Sequence, residues 1–68
     1  MTPGQAHEKI QKAGFALRKV ARAANGRIWF AEAIDADGNV IEGRGETDEL
    51  ACCNLIVRVL GAAKRRAA

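Results

Sequence analysis

Ala6, Ile10 and Ala13 recur at spacings of four and three, which lays them along one face of a helix. Thr2-Pro3-Gly4-Gln5 reads as its start: Thr2 as N-cap, Pro3 at the first helical position, where a missing N–H costs nothing, and Gln5 closing a capping box. Two continuations fit the next stretch. Leu17, Val20 and Ala24 extend the helical period, but so long a helix strands Phe15 among Lys12, Arg18, Lys19 and Arg22. A helix closed by Gly14 in the left-handed conformation lets Phe15 fold back instead. Phe15 to Arg22 then becomes a strand, Asn25-Gly26 a tight type I′ turn, and Arg27 to Asp35 the partner strand. Turn chemistry and the phase of Phe15 favour the short helix.

Further along, Ile28, Phe30 and Ile34 alternate with Trp29, Ala31 and Ala33, as in a strand with apolar groups on both faces. Asp35-Ala36-Asp37-Gly38-Asn39 is dense in turn residues, and Val40 to Gly45 reads as the returning strand. Thr47 caps a second helix whose first turn carries Asp48 and Glu49, the sign that suits a helix start. Its apolar stripe reads as Leu50, Cys53, Ile56, Val57 and Leu60, widened on one side by Cys52, Val59 and Ala63, with Leu55 off it. Gly61 followed by Lys64, Arg65 and Arg66 reads as a fraying end. The expected fold is α+β: a small antiparallel sheet of two or three strands with both helices on one face, in the order α-β-β-β-α, or α-β-β-α if the first helix is long. A single domain over residues 1–63 with a basic tail over 64–68 accounts for the chain, and the far face of the sheet is left uncovered.

Composition narrows the function classes. Of 68 residues 49% are apolar, but 14 positions are alanine, so the core is small and a single domain is expected over these residues. No apolar run approaches the roughly 20 residues that span a bilayer, and the first residues lack a basic-then-apolar leader, so a cytoplasmic protein without membrane contact is expected. Lys and Arg outnumber Asp and Glu by 11 to 8; the resulting +3 draws anionic partners only weakly, and three of the positive charges sit at Lys64 to Arg66.

The inventory for catalysis is thin. There is one histidine, His7, and neither serine nor tyrosine, which excludes a serine nucleophile. A Cys–His pair would need Cys52 or Cys53 beside His7 with nothing to orient the imidazole; the adjacent cysteines read as small buried hydrophobes in a reducing compartment, and no further cysteine completes a metal cage. Asp35, Asp37, Asn39 and Glu46 match positions of a calcium loop, but Val40 stands where that loop needs glycine and the flanks read as strands, so a hairpin turn is expected. Gly43 and Gly45 before a helix invite comparison with a phosphate cradle, yet Asp48 and Glu49 would repel phosphate there. No catalytic residue, metal or cofactor is expected.

The order α-β-β-β-α, with Gly43-x-Gly45-x-Thr47-Asp48-Glu49-Leu50-Ala51 running into an apolar helix, resembles the C-terminal half of a double-stranded RNA-binding domain. The resemblance implies the fold. In that family lysines at the start of the second helix contact phosphates, whereas Asp48 and Glu49 stand there in this chain, and the loop that enters the RNA minor groove shrinks to Ala24-Asn25-Gly26.

Two functional readings follow. One is a non-catalytic protein-binding or regulatory module, self-associating or bound to another protein through Trp29, Leu55, Arg18 and Arg22. A bacterial or phage inhibitor-type protein is one form of it. The other is a basic nucleic-acid accessory protein using Arg18, Arg22, Arg27, Arg44, Lys64, Arg65 and Arg66, with Trp29 as an aromatic among cations.

Overall fold

The structure, a computed structural model, describes residues 3–67, and the side chains of residues 4–65. Helix α1 (Pro3–Lys12) leads into strands β1 (Phe15–Arg22), β2 (Trp29–Asp35) and β3 (Val40–Gly45), and helix α2 (Asp48–Ala67) ends the described chain. The three strands form one antiparallel sheet in the order β1-β2-β3, so the fold is the five-element α+β arrangement and the long first helix is not formed. The expected N-cap, Thr2, lies outside the described residues.

Gly14 stops α1. Its φ of +86° is the left-handed conformation that closes a helix at no steric cost to glycine, and its N–H donates to the Gln11 carbonyl at 3.0 Å. The chain then enters β1 with Phe15 buried against the core. A bulge follows, because Leu17 pairs with Ala33 and Lys19 with Glu32, leaving Arg18 as the extra residue. The strand period of two would turn Lys19 and Ala21 toward the helices. The bulge shifts the phase, so Phe15, Leu17 and Val20 all pack on the core.

Both hairpin turns are built around one left-handed glycine. Asn25-Gly26 is not the expected type I′ turn, which needs positive φ at both residues, since among the described residues only Gly14, Gly26 and Gly38 have it. Instead Asn25 Oδ1 accepts the Arg27 N–H at 2.9 Å, Gly26 N–H donates to the Ala23 carbonyl at 2.9 Å, and Ala23 N–H donates to the Ile28 carbonyl at 2.7 Å, closing a longer loop. At the second turn Asp35 Oδ1 accepts the N–H groups of Asp37 and Asn39, both at 2.9 Å, and Oδ2 accepts Asn39 Nδ2–H at 3.1 Å. The candidate calcium-loop carboxylate is therefore the peg of the hairpin.

Thr47 caps α2 as its sequence position implies, with Oγ1 accepting the Leu50 N–H at 3.1 Å. The helix does not fray after Gly61. It continues through Lys64 and Arg65 to Ala67, where basic side chains suit the negative end of the helix dipole. Both helices lie on one face of the sheet, α1 against β1 and α2 over β3 and β2. A Cβ on Gly43 would fall 2.6 Å from the Ala51 carbonyl oxygen and closer still to the Leu55 backbone nitrogen; one on Gly45 would lie 2.6 Å from the Ala51 nitrogen. The two glycines thus let the α2 backbone rest directly on β3, a packing role in place of a phosphate cradle. The buried apolar set is Ala6, Ile10, Phe15, Ala31, Ala33, Ala51, Cys52, Leu55, Ile56 and Val59.

Candidate protein-interaction face

Contact with the glycine strand sets the rotation of α2. Ala51 and Leu55 meet β3 through their backbones, and Cys52, Ile56 and Val59 share their side of the helix, all buried. This turns the helix away from the expected phase. Leu55, a candidate for binding a partner, is fully buried in the core and unavailable for contact. Of the expected core stripe Ile56 is buried, but three members face outward instead: Val57 is 69% exposed, Leu60 52% and Leu50 48%. With half-buried Cys53 between them they run 50, 53, 57, 60, the three-four spacing that presents a seam to another helix. The placement runs against what hydrophobicity alone would select, since four alanines occupy the core while two leucines and a valine of α2 face water.

Beside the seam, Val40, Ile41 and Glu42 of β3 and Val57, Arg58, Gly61 and Arg65 of α2 line a groove of about 480 Å³. Val40, 47% exposed, pairs with Ile34 and so belongs to the open face of the sheet, which leaves Ile41 as the groove's strand residue on the helix side. Arg58 Nη1 donates to the Glu42 carbonyl at 2.9 Å, and Asn54 Nδ2 donates to the Arg44 carbonyl. Two side chains one helical turn apart therefore occupy carbonyls of the β3 edge, which blunts that edge against strand addition. The opposite edge, β1, is broken by its bulge and carries exposed Arg18, Lys19 and Arg22.

The remaining candidates do not gather into one site. Trp29 is half-buried on the helix side of the sheet, packed against the core, not on the open face; the Arg22 guanidinium carbon stacks 5.0 Å from its ring centre. The aromatic on the open face is Phe30, with Arg44 stacked at 5.2 Å and paired through Nε to Glu42 Oε1 at 2.6 Å. Arg22 and Arg44 thus lie on opposite faces, each placed over a ring. Arg18 is at the bulge and Arg27 in the first turn. Because Trp29 pairs with Gly45, next to the start of α2, Arg22, Arg27 and Arg44 belong to the end of the molecule where Asp48 and Glu49 sit, while Lys64 and Arg65 lie at the other end beside Val40. The Arg66 side chain lies outside the described residues. Glu32 pairs with Glu42 on the open face, so that surface carries carboxylates amid its cations.

Cys52 is buried, and its thiol is pushed above its ordinary pKa by desolvation first, then by the charges of Asp48 and Cys53. Raising a thiol pKa lowers its thiolate fraction, the reverse of what a nucleophilic cysteine needs. His7 is exposed on α1. Among the described residues no helix is long and apolar enough to cross a membrane. Compared with protein-family models, with curated proteins and with solved structures, the chain matches none.

Proposed function

We propose that the chain is a small non-catalytic protein-binding module that self-associates through the outer face of α2. The observation that carries this is the outward Leu50-Cys53-Val57-Leu60 seam on a helix whose opposite side is already seated on the sheet. A contiguous apolar strip that the fold does not use is the surface feature that most often marks a contact with another protein. A single helix seam is smaller than a standard interface, so the association is weak and reversible, in the micromolar range or above. The nucleic-acid reading draws less support, because its cations are divided between two ends of the molecule and two faces of the sheet.

Amide chemical shifts followed from millimolar to low micromolar concentration test the proposal. Concentration-dependent changes confined to α2 and the start of β3 are expected. Invariant shifts, or changes centred on Phe30 and the open sheet face, would contradict it.

A further inference from the structure

The two ends of α2 carry opposite charge. Glu46, Asp48 and Glu49 stand at its start and Lys64 and Arg65 at its end, with the seam between them. From Leu50 to Leu60 the seam is about 15 Å long, at 1.5 Å rise per residue. We infer that its occupant is a second copy of this chain, with the two α2 helices antiparallel about a two-fold axis passing between Cys53 and Val57. This rests on the self-association proposed above and adds its geometry.

An axis there sets Leu50 opposite the second copy's Leu60 and Cys53 opposite the second copy's Val57, so every apolar residue of the seam meets an apolar partner and each contact occurs twice. The same axis leaves Glu49 within a helical turn of the second copy's Lys64, and brings Glu46, just before the helix, to the end where the second copy's Lys64 and the groove-lining Arg65 stand. Parallel helices in register would bring Glu49 to Glu49 and Lys64 to Lys64, with like charges crowded at both ends. Charge patterns of this kind select orientation more than they add affinity. In the antiparallel pair the two sheets lie on the outside and the helices between them.

Two measurements on the full chain test the arrangement. The first is mild oxidation, with the bridging sulfurs identified by peptide mass. Val57→Cys should form a dimer bridged from Cys53 to the new cysteine of the other copy, while the unsubstituted chain should give little bridged dimer, because its Cys53 residues are offset along the antiparallel helices. A Cys53-to-Cys53 bridge in the unsubstituted chain would overturn the arrangement. The second is charge exchange. Glu46→Lys with Glu49→Lys should weaken dimerisation about tenfold, and adding Lys64→Glu with Arg65→Glu should restore it. Both pairs of changes oppose the helix dipole, so a mere loss of helix stability would worsen with the second pair. Failure of the fourfold variant to recover would overturn the antiparallel pairing. A chain that is monomeric throughout would overturn the self-association itself, which separates that failure from a dimer of the wrong orientation.

Discussion

Gly43 and Gly61 are the same residue type with opposite reasons for being there. At Gly43 the backbone of α2 occupies the space a Cβ would need, with the Ala51 carbonyl 2.6 Å away, and no flexible side-chain end can give way. Gly43→Ala should therefore cost about 1–3 kcal/mol or more, read as a lowered denaturant midpoint. At Gly61 an added Cβ would meet, beyond the helix's own backbone, only the flexible end of Arg65 at 3.9 Å, and the residue lies inside α2. Gly61→Ala should gain up to about 1 kcal/mol through helix propensity. Equal effects at the two sites would mean that α2 does not rest on β3 as described. The role of Gly43 was not readable from the Gly43-x-Gly45 pattern, because what distinguishes a packing glycine from a ligand cradle is the element lying across it. By contrast Gly14 and Thr47 were legible: a helix stop and a helix start act through their own backbone neighbours, so local sequence contains the whole cause.

At the level of elements, β1 shows why two readings competed. Its inward residues Phe15, Leu17 and Val20 are spaced by two and then three because of the bulge at Arg18, and that irregular period matches neither a plain strand nor a helix. Gly14 and Asn25-Gly26 on either side favour the strand, which is what forms, although the turn is not type I′. The phase of α2 was not legible because apolar residues occupy most of its circumference, from Leu50 and Cys53 to Leu55, Ile56, Val57, Val59 and Leu60. The deciding contact is long-range: with no Cβ in the way, Gly43 and Gly45 let the α2 backbone at Leu50, Ala51 and Leu55 rest on β3. The same closeness explains β2, where Ala31 and Ala33 line the helix side and larger Phe30 and Ile34 take the open face. If α2 is rotated as described, Val57→Asp leaves the monomer intact, with unfolding free energy within about 0.5 kcal/mol of the unsubstituted chain. A loss comparable to truncating a buried aliphatic residue, about 2–5 kcal/mol, would put Val57 in the core and refute this phase.

For the molecule as a whole, a core this rich in alanine leaves little surplus stability, and small domains of this length commonly find the remainder in association. An antiparallel pair of α2 helices would remove Val57 and Leu60 from water without altering the fold that positions them. Sedimentation equilibrium on the unsubstituted chain and on Val57→Asp, from low micromolar to near-millimolar concentration, decides whether the outer face of α2 holds two copies together. The apparent mass of the unsubstituted chain should rise from the 7.3 kDa monomer toward twice that value while Val57→Asp stays monomeric and folded. A constant monomer mass for the unsubstituted chain, or identical association by the two, would contradict it.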